Sequence, residues 1–100
     1  MIFGYARIST QDQNFDLQID ALLKEGIDIK NIFKDTASGV REERKGLDGV
    51  LNKLRKGDTL VIWKLDRIAR SVIHLAKLIE QFDKEGINLK SIQEPFLDTS

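Results

Sequence analysis

Four of the six arginines in this chain of 100 residues, Arg7, Arg44, Arg67 and Arg70, stand close in sequence to hydroxyl or carboxylate side chains, whereas the ten lysines are mostly scattered. Tyr5, Arg7 and Ser9 alternate, so in an extended segment they share one face. Ser38 and Arg44 fall in a polar stretch that begins at Asp35, and Lys64, Asp66, Arg67 and Arg70 form a third group. A guanidinium presents a fixed fork of donors and stays charged at neutral pH, which suits it to grip a phosphate. With a serine hydroxyl alongside, such a site could bind a phosphate group or transfer one. Phosphoryl transfer asks the protein mainly to position the nucleophile and to stabilise the equatorial oxygens. Metal ions often share that work, but His74 is the only histidine, cysteine is absent and no paired carboxylates follow a strand. Guanidinium groups would have to replace the metal.

Short elements must carry these residues. Ile2 to Ile8 reads as a buried strand, followed by a capping box at Thr10 and Gln13 and a helix with Phe15, Ile19, Leu22 and Leu23 on one face, stopped by Gly26. A second strand is expected over Asn31 to Lys34, then a mobile polar loop from Asp35 to Lys45. Leu47, Val50, Leu51 and Leu54 mark a second helix ending by Gly57. Thr59 to Trp63 is the clearest strand, continuous in apolar and β-branched residues as a central parallel strand should be. A third helix buries Val72, Leu75, Ala76, Ile79 and Phe82 and stops at Gly86, and Ile87 to Ile92 is a last strand. The alternation implies an α/β fold, a mostly parallel sheet of four to five strands with helices on both faces. In such sheets ligands meet the carboxyl ends of the strands, which is where Ser9, Ser38 with Arg44, and Lys64 to Arg70 all fall.

Composition bounds the rest. Lys plus Arg and Asp plus Glu both number 16, so the formal charge is zero and any contact with nucleic acid must be a local cluster. A chain of this size can bury roughly 60 to 70% of its unfolded surface and needs no disulfide or metal staple. No apolar run approaches the roughly 20 residues of a bilayer span, no signal peptide is evident, and glycine-rich nucleotide loops of either common type are missing.

The residues together resemble a known family. Tyr5-Ala6-Arg7-Ile8-Ser9-Thr10, Asp12-Gln13 and Gln18, Asp35, Ser38-Gly39, Arg44, Gly57-Asp58 and the run Lys64 to Ser71 (KLDRIARS) are similar to the catalytic domain of serine recombinases, the resolvases and DNA invertases. The likeness spans nearly the whole chain and rests on YARxS and LDRxxR in the expected order. It implies a resolvase-like fold and a cytoplasmic enzyme, bacterial or carried on a mobile element, that acts on double-stranded DNA at a crossover site with no metal, ATP or other cofactor. Ser9 would attack the scissile phosphodiester and leave a 5′-phosphoseryl link. Arg7, Arg67 and Arg70 would hold the phosphate, with Arg44 in support. Asp66 would orient an arginine or move a proton, and Tyr5, Gln13, Gln18, Asp35, Ser38 and Lys64 would form the supporting shell. The resemblance further implies a homodimer that pairs into a synaptic homotetramer, in which alone Ser9 meets all four arginines. Two departures stand out: Ala69 occupies a position where glycine is more usual, and residues 1–100 stop before the long dimerisation helix and the helix-turn-helix domain expected downstream. Residues 1–100 alone are expected to fold without being competent for recombination.

Each of these residues also has a plainer reading. Ser9 and Thr10 could cap a helix, Asp66 and Arg70 could be an exposed i,i+4 ion pair worth about 0.3 to 0.5 kcal/mol, Ser38-Gly39 could be a turn, and Gln13 and Gln18 could cap or face solvent. A non-catalytic binding module of the same architecture is the rival from another class, as is a regulator that binds DNA without cutting it. The binding module predicts that Ser9→Ala leaves activity intact, and the intact Ser9 and arginine set argues against the regulator.

Overall fold

The computed structural model describes residues 1–9, 15–38, 41–42, 45–64, 68 and 71–94. The chain runs through β1 (Ile2–Ser9), α1 (Phe15–Lys24), a short 3-10 turn (Ile29–Asn31), β2 (Ile32–Ser38), β3 (Arg41–Glu42), α2 (Lys45–Lys53), β4 (Thr59–Ile62), α3 (Val72–Glu85) and β5 (Asn88–Ser91). The strands form one sheet in the order β3-β2-β1-β4-β5. β2, β1, β4 and β5 are parallel neighbours, and β3 pairs antiparallel with β2 at the edge. The expected α/β class and mostly parallel sheet are therefore present.

Burial on both sides of the sheet explains the apolar runs. Phe3 and Tyr5 of β1 and Leu60 and Ile62 of β4 pack with Leu47 and Val50 from α2, Leu54 just beyond it, and Leu78 and Phe82 from α3. Ala6 and Val61 face the other way, against Leu22 of α1 and Ile27 and Ile32. Helices thus cover both faces, α1 on one and α2 with α3 on the other. The helix that follows β1 lies on one face and the helix that follows β4 on the other, the strand arrangement at which open parallel sheets bind ligands.

Three details depart from the sequence reading. The second strand continues past Lys34 to Ser38, and a two-residue strand follows at Arg41–Glu42, so much of the expected loop is sheet. Polar residues can hold this strand because β2 runs in register with β1 from Gly4↔Ile32 to Ser9↔Ala37 and Asp35 finds partners in the interior. The buried stripe of α3 is rotated towards Leu78 and Phe82, with Leu75 and Ile79 packed beside them, while Val72 is 83% exposed and Ala76 is exposed. The third helix is capped as its ends suggest: Ser71 accepts from the His74 backbone N–H, and Gly86, at φ 71°, closes the helix on Phe82 and Asp83. The capping box at Thr10 and Gln13 lies outside the described residues.

One glycine is required by close approach. A Cβ at Gly46, in the first turn of α2, would lie 2.4 Å from the Lys34 carbonyl oxygen and 2.9 Å from its carbon, so only glycine lets the helix start against the β2 backbone. At Gly49 the nearest atoms are the Phe33 ring at 3.3 Å, a side chain that can give. Gly46→Ala should therefore cost about 1–3 kcal/mol as overpacking, and Gly49→Ala markedly less, by urea titration. Equal effects would mean that the α2 start has room to shift.

The amino-terminal edge of the sheet is held by Asp58. Its Oδ1 lies 2.9 Å from the Met1 ammonium and its Oδ2 accepts from the Arg55 backbone N–H at 2.8 Å. The ammonium hydrogen bond chiefly, with the Arg55 N–H and against partial desolvation, holds the carboxyl below its ordinary 3.8. Because the folded value is the lower one, this stabilisation is complete above the unfolded value and is lost as pH falls through the folded one. Asp58→Asn should flatten the acid limb of a stability-versus-pH curve, and an unchanged limb would remove Asp58 from that account.

Candidate phosphate site at the carboxyl ends of the strands

Parallel register brings the first group of residues into a row with the second strand. Tyr5 pairs with Phe33, Arg7 with Asp35 and Ser9 with Ala37. β4 accompanies β1 only as far as the Tyr5↔Ile62 pair, so the last turn of the β1 pleat, with Arg7 and Ser9, extends beyond it. Ser9 is the final residue of β1 at the open edge.

Asp35 is the polar centre of this region. It is 4% exposed, and its carboxylate accepts from the Tyr5 hydroxyl at 2.7 Å, the Gly46 N–H at 2.7 Å and the Leu47 N–H at 2.9 Å. The last two donors belong to the first turn of α2, whose N–H groups have no partner within the helix. Asp35 therefore caps α2 from a different element, and its negative charge sits at the positive end of the helix dipole. Arg44 immediately precedes that helix in sequence. The carboxylate anchors the point from which Arg44 departs, and its three donors leave it little to offer a substrate.

Arg7 is 7% exposed, a level at which a permanently charged group must be answered by nearby acceptors or an anion. Its backbone carbonyl accepts from Gln18 Nε2 at 3.2 Å. Gln18 is fully buried at 0% exposure, contrary to its plainer reading as a solvent-facing residue. Beyond Tyr5, where β4 no longer runs alongside, this amide from α1 supplies a donor to the strand carrying Arg7. Gln18 Oε1 is buried and without a hydrogen-bond partner among the described residues.

Tyr5, Arg7, Gln18 and Asp35 are thus brought together around the carboxyl end of β1. Lys64 is exposed just after β4, on the neighbouring strand, and Ser38 ends β2. Gln13, Arg44, Asp66, Arg67 and Arg70 lie outside the described residues, as does the expectation about which arginines Ser9 meets. Sequence reasoning missed the α2 amides of Gly46 and Leu47; the signal was a helix start with no capping side chain of its own beside it and an acidic residue earlier in the chain.

Comparisons with known proteins converge on one family. The model for the resolvase N-terminal domain matches residues 2–100. The chain is 51% identical over all 100 residues to the transposon Tn917 resolvase of Enterococcus faecalis, of which it covers 53%. It is 49% identical over the same span to the serine recombinase gin of Escherichia phage Mu and to the DNA-invertase of Escherichia phage P1, covering 50% and 52% of them. The chain spans about half the length of these curated relatives.

The Tyr5–Asp35 contact is open to a direct test. Removing the hydroxyl with Tyr5→Phe should cost about 1–3 kcal/mol, because a buried carboxylate loses a donor. In a double-mutant cycle with Asp35→Asn, urea titrations should return a coupling of about 1 kcal/mol or more. Additive losses would mean that the two groups do not stabilise each other.

Proposed function

The chain belongs to the serine recombinase family, that of the resolvases and DNA invertases, and from that premise we propose that it is the catalytic domain of a site-specific DNA recombinase. The reading is carried by one observation: Arg7 and Ser9 stand at the carboxyl end of a central strand, braced by Asp35, Tyr5 and Gln18, beside the strand from which the Lys64–Arg70 run departs.

The chemistry is the one that the family likeness implies. The Ser9 hydroxyl attacks the phosphorus of a DNA phosphodiester, its proton passes to a base, and the bond to the 3′-oxygen breaks. The products are a 5′-phosphoseryl link and a free 3′-hydroxyl, and religation reverses these bond changes on an exchanged end. The developing charge on the phosphate oxygens is met by Arg7, Arg67 and Arg70, with Arg44 in support, so that neither metal nor ATP is required. Asp66 orients one of these guanidinium groups or moves a proton. Gln13, Ser38 and Lys64 complete the surroundings of the phosphate.

The partner is double-stranded DNA at a crossover site. Residues 1–100 form the catalytic unit, and a following helix and helix-turn-helix domain provide dimerisation and sequence recognition, with two dimers meeting in a synaptic tetramer. The zero net charge of residues 1–100 fits this division, since bulk affinity for DNA then rests on the downstream half.

In the full-length protein, Arg67→Ala or Arg70→Ala should slow strand cleavage by about a hundredfold or more while gel-shift affinity stays near wild type. Cleavage by either variant at the wild-type rate would remove that arginine from the mechanism.

A further inference from the structure

The carboxyl end of β5 holds a polar cluster that the recombinase reading leaves without a role. Ser91, the last residue of β5, is 1% exposed. It completes the row Phe33, Tyr5, Ile62, Ser91 across the sheet, two residues below the row of Arg7 and Asp35. Its hydroxyl donates to Glu94 Oε1, and the Trp63 carbonyl oxygen lies 3.5 Å from the same Oγ. One hydroxyl has one proton to give, so the carboxylate, as the stronger acceptor, takes it, and the carbonyl stands by at the long limit of a hydrogen bond.

Backbone bonds converge on the same place. Ile92 N–H donates to the Ile62 carbonyl at 2.9 Å and Gln93 N–H to the Trp63 carbonyl at 3.0 Å. Residues 92 and 93 are thereby strapped to residues 62 and 63, beyond the point where the regular pairing of β4 and β5 ends at Ile62↔Ser91. Two segments leave from this strap. One passes through Lys64 into residues 65–70, which contain Asp66, Arg67 and Arg70. The other passes through Glu94 towards residue 100.

We infer that Ser91 and Glu94 are positioning residues for the recombination reaction. Their hydrogen-bonded clasp shapes the turn of residues 91–94, whose Ile92 and Gln93 N–H groups hold the exit of β4 at Ile62 and Trp63, the point from which the sequence continues to Arg67 and Arg70. The inference rests on the recombinase reading, which gives those arginines their task. Small displacements of a phosphate-gripping group are costly in rate, because the productive geometry tolerates little error.

The test uses the full-length protein and a duplex carrying its crossover site. Four variants, Ser91→Ala, Ser91→Thr, Glu94→Ala and Glu94→Gln, are compared with wild type for the rate of Ser9-dependent covalent adduct formation, for gel-shift affinity and for melting temperature. Ser91→Ala and Glu94→Ala should form adduct about tenfold or more slowly at unchanged affinity. Ser91→Thr and Glu94→Gln, which keep a hydroxyl and an acceptor, should recover much of that rate. Glu94 is only half-buried, so its variants decide the matter should Ser91→Ala fail to fold. Wild-type or faster cleavage in both alanine variants overturns the inference, and so does a rate loss matched by equal losses of affinity and melting temperature. A wild-type protein that binds its site and forms no adduct overturns the recombinase reading itself, an outcome distinct from a silent clasp in an active enzyme.

Discussion

The buried carboxylate of Asp35 is the interaction on which the site end of this domain depends. It joins three elements that the chain builds separately: β2, which carries it; β1, whose Tyr5 hydroxyl it accepts; and α2, whose first turn it caps through Gly46 and Leu47. Removing one such donor or acceptor leaves its partners desolvated and unanswered, so the three elements stand or fall together. The absence of a side chain at Gly46 is part of the same arrangement, since a Cβ there would meet the Lys34 carbonyl and push the helix start off the strand. Arg7 lies directly beside Asp35 in the pairing of β1 with β2, so the anchor is also the neighbour of an arginine proposed to grip the phosphate.

Strand order then decides where chemistry can occur. β1 and β4 are adjacent and parallel while the helices following them lie on opposite faces, so their carboxyl ends are where a sheet of this kind binds a ligand. Ser9 ends one of these strands and Lys64 follows the other. Gln18, reaching the Arg7 carbonyl from the opposite face, shows that both layers of helices contribute to holding β1.

The apolar framework was legible because it is local. The runs Ile2 to Ile8 and Thr59 to Trp63, the α1 spacing of Ile19 and Leu22, and the stops at Gly26 and Gly86 each carry their signal within a few residues. The family likeness added the roles of residues that spacing alone left as caps, turns or surface charges. What could not be read was set by partners distant in sequence. Asp35 looks like the start of a polar loop until β1 lies beside it and α2 offers its amides. Gln18 looks like a solvent-facing residue until its amide is seen on the Arg7 carbonyl. The stripe of α3 is ambiguous because Val72, Leu75, Ala76 and Ile79 are as periodic as Leu75, Leu78, Ile79 and Phe82; packing against the sheet selects the second set and leaves Val72 in solvent. Ser91 reads as an ordinary strand-end serine until the Trp63 carbonyl, 28 residues earlier, is seen beside its hydroxyl.

The claim at the centre of this account is that Ser9 becomes covalently attached to DNA. The most direct measurement takes the full-length protein with duplex DNA flanking its own gene, in EDTA, traps the protein–DNA adduct, digests both components and locates the residual nucleotide by mass spectrometry. The account predicts a 5′-phosphate nucleotide on the peptide containing Ser9 and no adduct with Ser9→Ala. A nucleotide carried by any other residue, or no adduct at a site shown by gel shift to be occupied, would contradict it.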